Sequence, residues 1–220
     1  MPYRQTDNVV RKLAARQGAI LTAAREIAAE AGMAALQIAP VAERAGVAAG
    51  TVYRYFPSKT DLVAALVRQL CQEDLAALDG AARAAPGPLS ALAAAIAIFG
   101  TRALAGRRLA FALIAEPVEP EIDRARSSYR QALVGALEGL IRTALAGRHL
   151  PQQDATLAAI ALVGALVEGS VGPLAPTLGD DPAATRAEVQ SLTLFALRAL
   201  GVVDARARGL VVQAVPTGGP

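Results

Sequence analysis

Arg54 stands in the one stretch of this 220-residue chain whose residue types and spacing suggest recognition chemistry. The run Ala49-Gly50-Thr51-Val52-Tyr53-Arg54-Tyr55-Phe56 is followed by Pro57-Ser58-Lys59 and holds three of the chain's eight aromatic residues beside two cations. At about 100° per residue, Val52 and Phe56 fall within about 40° of each other and mark a buried side. Gly50 and Arg54 point the opposite way, flanked by Thr51 and Tyr53. A guanidinium facing outward from a short helix suits bidentate contact with guanine N7 and O6. Gly50 beside it lets the backbone approach a groove closely, while Tyr53 and Thr51 bring hydroxyls. Lys59 lies at the start of the next helix, where free amides and positive charge together favour a phosphate oxygen.

The elements around these residues must hold them in that attitude. Ile38, Val41, Ala42 and Ala45 recur at helical spacing, and Gly46-Val47-Ala48 separates them from the Val52 helix. Two short helices joined by a glycine-containing turn form a helix-turn-helix, which lays its second helix in the DNA major groove. Upstream, Leu13, Ile20, Ala24, Ile27 and Ala31 place one stripe on a helix from Val9 to Ala31, stopped by Gly32. The first ten residues read as a flexible arm. Downstream, Ser58 is a cap with Asp61 in capping-box position, opening a helix that runs to Asp79-Gly80 and joins this unit to the rest. Proline and glycine then divide the chain into helices at 89–105, 107–115, 121–147, 152–171 and 182–200. Residues 202–220 read as a tail, loose or packed as an appendage.

Composition agrees with an all-α chain. Apolar residues make up 54% and charged ones 19%, dominated by Ala and Leu with no Trp, which excludes disorder and favours helix over strand. About nine helices are expected: a three-helix head over residues 1–57, a larger body over 58–201 and the tail over 202–220. The apolar run Ala155–Val167 is too short to cross about 30 Å of hydrocarbon, so no membrane role is expected. A charged N-terminus and a single cysteine, Cys71, suit the cytoplasm. Residues 1–60 carry eight Lys/Arg against four Asp/Glu, or +4, whereas residues 61–220 carry fourteen against fifteen, or −1. The basic excess sits entirely in the segment with the helix-turn-helix, as a phosphate-binding footprint would.

The runs ILTAAREIAAEAG and IAPVAERAGVAAGTVYRYFPSKTDLVAAL resemble the DNA-binding region of the tetracycline-repressor-like (TetR) family of regulators over about residues 16–66. The resemblance implies an all-helical homodimer with a DNA-binding head and an effector-binding body. It places Thr51, Tyr53, Tyr55 and Lys59 on positions that commonly meet operator DNA, and Arg54 on the one that varies with operator sequence. Gln37, Arg44, Ala49 and Gly50 complete the expected set. Gln37 stands where the family often has Thr or Ser, and caps less well. Pro40 is tolerable only within the first helical turn, and Ala39 replaces a frequently polar residue.

The body is expected to take a small, hydrophobic or amphipathic effector. Phe99, Arg102, Phe111, Glu116, Tyr129, Leu133 and Glu168 are its candidate residues, being aromatic or polar groups set among apolar stripes. Glu168 interrupts the apolar stretch Ala155–Val171 and is either buried with a partner or exposed at a helix end. The last two body helices, about 152–171 and 183–200, are the expected dimer interface: one is rich in small residues, and the other has a wide apolar face of Leu192, Leu194, Phe195, Leu197 and Leu200. No catalytic constellation, metal cluster or phosphate-cradling loop is visible, so neither an enzyme nor a cofactor is expected. The remaining alternative is a body that recruits a protein partner and has no small-molecule site.

Overall fold

A computed structural model describes residues 7–114, 116, 120–173, 175–176 and 181–215, without the side chains at 7–9, 121, 122 and 125. The all-helical expectation is met, with ten α-helices, one 3-10 turn and no strand among the described residues. The first four elements are α1 (Asp7–Ala31), a 3-10 turn (Met33–Ala35), α2 (Ile38–Arg44) and α3 (Ala49–Tyr55). The body follows as α4 (Lys59–Ala84), α5 (Pro88–Ala105), α6 (Arg107–Ile114), α7 (Pro120–Ala146), α8 (Ala155–Val171), α9 (Pro182–Ala199) and α10 (Asp204–Ala214). Of the expected arm, residues 1–6 lie outside the described residues, and the chain is helical from Asp7 onward.

One continuous cluster of buried side chains runs from Ile20 in α1 to Val211 in α10. The head therefore shares its core with the body. The body is built around α5, which packs against α4, α7, α9 and α10. Its residues Leu92, Ala93, Ala95 and Ile96 are fully or almost fully buried. By length and composition α5 could also cross a membrane, but such apolarity is what a core helix contacted by several neighbours requires.

Three boundaries differ from the expected ones, each for a local reason. Helix α4 continues to Ala84, past Gly80, because Leu78 and Ala82 on either side of the glycine are buried and hold the turn. Helix α8 begins at Ala155 and not just after Pro151, because Asp154 caps it: its carboxylate accepts from Thr156 N–H at 2.9 Å and Leu157 N–H at 3.1 Å. The tail contains a tenth helix, α10, whose Ala207, Leu210 and Val211 are buried at helical spacing and which packs on α5 and α9.

Candidate nucleic-acid interface and body cavity

The recognition stretch is assembled by turn chemistry. Helix α2 ends in a two-bond cap: Gly46 N–H donates to Glu43 O at 3.1 Å and Val47 N–H to Ala42 O at 3.0 Å. Gly46 takes φ +65°, the left-handed conformation this cap demands and that only glycine adopts cheaply. At the other end Gln37 is extended and gives α2 no side-chain cap, while Pro40, the third helical residue, needs no intrahelical donor. Ser58 caps α4, accepting from Asp61 N–H at 3.0 Å and donating its hydroxyl to Asp61 Oδ2 at 2.7 Å. Lys59 is thereby set on the first turn of α4, half-exposed.

Helix α3 is held by Val52, fully buried, and by Phe56 just beyond its end. Ala49, Gly50, Tyr53 and Arg54 are exposed and Thr51 is half-exposed. Tyr53, 52% exposed, leaves about half of a large aromatic residue open to solvent. The Arg54 guanidinium lies 5.6 Å from the centroid of the Tyr55 ring, a cation–π approach that braces it outward. Tyr55 itself packs partly against the core, and its hydroxyl is covered without a hydrogen-bond partner. Gln37 is exposed, whereas Arg44 is drawn back onto α1 by an ion pair with Glu30 at 2.8 Å.

A Cβ added at Gly50 would meet nothing within 4 Å. Glycine inside a helix costs about 0.5–1 kcal/mol relative to alanine, and nothing in the fold requires that cost here. Gly50→Ala is therefore expected to stabilise the chain by up to about that amount while weakening affinity for duplex DNA. Thermal unfolding and fluorescence anisotropy on the same sample check the two opposite signs.

The body holds a cavity of about 340 Å³ between α1, α4, α5 and α6. Its walls are apolar: Leu70 from α4, Phe99 and Ala103 from α5, and Leu109, Leu113 and Ile114 from α6. Its polar groups are Asp74, Arg102 and, from the head, Arg25. Arg102 Nε donates to Asp74 Oδ1 at 2.6 Å and the Tyr129 hydroxyl to Asp74 Oδ2 at 3.0 Å. Burial, reinforced by the Asp74 charge, pushes the Tyr129 phenol upward, so it stays a neutral donor. The same causes push the buried Cys71 thiol up to about 12, which leaves it protonated and inert at neutral pH.

Of the seven residues expected around an effector, Phe99 and Arg102 line this cavity, and Tyr129 reaches it through Asp74. Leu133 is buried beside Phe99 in a separate gap of about 10 Å³, too small for a ligand. Phe111 is exposed on the outer side of α6, and Glu168 is exposed on the last turns of α8, clear of the cavity.

Glu116 has a different post, between body and head. Its Oε2 accepts from Met33 N–H at 2.9 Å and its Oε1 from Ala34 N–H at 3.1 Å. Gly32 before them has φ +86°, and a Cβ there would stand 3.2 Å from Oε2. Glu116 and the last turn of α6 are held in turn by Arg126, 5% exposed, which donates to the carbonyls of Glu116 and Ala112. Arg108 on α6 donates to the Glu30 carbonyl at the end of α1. Neither arginine is among the expected functional residues. Arg126 lies one turn before Tyr129 on the inward face of α7, where a charged residue gives no apolar periodicity to mark it. Glu116→Ala is expected to cost about 1–3 kcal/mol of stability, since it strips a charged acceptor from two backbone donors. It should also speed hydrogen exchange at the Met33 and Ala34 amides, read by NMR.

This arrangement, a helix-turn-helix bound into a larger helical body, has likenesses among known proteins. Residues 20–66 match the model of the family described as bacterial regulatory proteins, tetR family. The match lies on the stretch that carries the resemblance and is confined to the helix-turn-helix head. The chain is 50% identical over 70 residues to the HTH-type transcriptional repressor KstR of Mycolicibacterium smegmatis, covering 30% of this chain and 34% of that protein. The match thus spans about a third of that relative's length. Over most of its length the chain shares its fold with two solved structures. One is the transcriptional regulator FadR from Bacillus subtilis in complex with stearoyl-CoA (19% identity, TM-score 0.62, 92% of this chain and 99% of that one). The other is RolR in complex with resorcinol (21% identity, TM-score 0.63, 94% and 97%).

Proposed function

We propose that this chain is a ligand-responsive DNA-binding transcriptional regulator, a repressor that binds a palindromic operator as a dimer and is released by a small, largely apolar effector. The observation that carries the reading is the outward face of α3. Arg54, Tyr53 and Gly50 are exposed together on a helix whose opposite side is locked by Val52 and Phe56. Two such helices enter successive major grooves about 34–36 Å apart. The match of residues 20–66 to the tetR family and the local likeness to a repressor support it.

The dimer is assigned to α8 and α9. Leu157 and Ile160 on α8 and Phe195 on α9 are 64%, 53% and 56% exposed, and Ala161 and Gly164 continue the α8 stripe with small residues. A second copy covering this face buries the remaining half or so of each large side chain, worth about 1–2 kcal/mol each.

The effector site is assigned to the cavity bounded by Phe99, Arg102 and α6. Its volume lies in the range of about 300–1,000 Å³ typical of small-molecule pockets. That the two structural neighbours hold ligands as unlike as resorcinol and stearoyl-CoA is consistent with a body whose cavity is adjustable. An effector there touches Arg25 and α6, moves α4 from Ser58 onward and so changes the spacing of the heads. DNA affinity falls because the effector favours one of two states. This cavity favours an effector over a body that only recruits a protein partner.

The experiment is selection of bound sequences from a random duplex pool, followed by a screen of lipophilic compounds that release the selected duplex. Recovery of a two-fold symmetric sequence is the expected result; recovery of none sinks the operator reading. Binding that no compound disturbs sinks the effector reading alone.

A further inference from the structure

The first half of α1 is not explained by the core. Burial begins at Ile20, and every residue from Val10 to Ala19 is exposed except the half-buried Leu13. Leu13 is expected on the packed stripe, yet it lies on this projecting half. A free helix of about a dozen residues is marginal in water, and this one contains Gly18. Its charges are predominantly basic, three cations against the single carboxylate of Asp7 at its first residue. No Asp or Glu occurs from Asn8 to Arg25, while Arg11, Lys12 and Arg16 all fall in the exposed part. Lys12 and Arg16 are four residues apart, a spacing at which like charges repel on a solvated helix.

The other end of α1 is fastened to the body. Arg25 pairs with Glu73 of α4 at 2.8 Å, Arg108 grips the Glu30 carbonyl, and Glu116 holds the Met33 and Ala34 amides. A rod fastened at that end leaves residues 10–19 largely uncovered by the rest of the fold. We infer that residues 7–19 of α1 are a second nucleic-acid surface, lying along the phosphates of double-stranded DNA outside the half-site read by α3. Charge complementarity selects this occupant: a polyanion relieves the repulsion between Lys12 and Arg16, and the surface continues the basic head. Thirteen helical residues span about 20 Å, the length of about six base pairs. The inference rests on the DNA-binding reading above and adds to the length of duplex each protomer covers.

The test is the salt dependence of binding by the full chain to a random-sequence duplex several helical turns long. The triple variant Arg11→Ala, Lys12→Ala, Arg16→Ala changes only exposed side chains and should melt with wild type. Its slope of log K against log salt is expected to be shallower by about 0.9 for each phosphate no longer neutralised, up to about 2.7 per protomer. The variant Arg11→Lys, Arg16→Lys should keep the wild-type slope. An unchanged slope in the alanine variant overturns the inference. So does an altered sedimentation of the free protein at unchanged slope, which would make this surface a contact between copies. Wild type showing no salt-dependent binding to any duplex removes the DNA-binding reading itself, a result distinct from the other two.

Discussion

Arg54→Ala is expected to lower affinity for the selected operator by about 1–3 kcal/mol, roughly 5- to 150-fold, while binding random duplex almost as wild type does. The asymmetry follows from where the side chain sits. Arg54 is exposed, stands opposite Val52 on α3 and is braced by the Tyr55 ring, so its removal leaves the core intact. A phosphate-binding residue behaves otherwise, because removing it weakens all sequences alike and lowers the salt slope. Anisotropy titrations with operator and random duplex at two salt concentrations separate the cases. Equal weakening on both duplexes would reassign Arg54 from base reading to backbone contact. Arg54→Lys should recover little, since a single ammonium cannot reproduce the two-pronged contact.

The second large effect is expected at the far end of the molecule. Phe195→Glu or Ile160→Glu should yield a monomer by analytical ultracentrifugation and lower operator affinity by on the order of 10²- to 10⁴-fold, as the second half-site ceases to be an intramolecular partner. Both side chains are more than half exposed in the single chain, so a charge there costs the fold little. Buried in a dimer, the same carboxylate would be desolvated without a partner. A dimer that persists in both variants would move the interface off α8 and α9. Melting temperature is the control: it should hold at low protein concentration, where wild type is also dissociated.

These two regions also show how much of the molecule is legible in the sequence. The attitude of α3 follows from four residues, because Val52 and Phe56 are one turn apart and the buried side of a seven-residue helix leaves one choice of outer side. The Ser58–Asp61 cap is equally local. Glu116 stands out in the sequence as a polar group among apolar ones, but its partners are 83 and 82 residues away, at Met33 and Ala34. No periodicity encodes such a pairing. Glu168 stands out for the same compositional reason and is exposed, since α8 has one face that its own chain leaves uncovered. Helix α10 is hidden from a periodicity reading because arginines and Gly209 mask an apolar triplet that is apparent only once α5 and α9 supply the surface it sits on.

Glu73 and Asp74 are neighbours on α4, and consecutive helical residues point about 100° apart. Glu73 accepts from Arg25 of α1 and Gln69 of its own helix, while Asp74 accepts from Arg102 of α5 and Tyr129 of α7. The two carboxylates therefore clamp α4 from different sides and set its angle about its own long axis. A slide of α4 along that axis strains both clamps together. A roll strains them unequally, tightening one carboxylate's grip as it loosens the other's. On the proposed effector reading, a ligand that competed for Asp74 would release one of these clamps and act on the head by twisting the shaft between them.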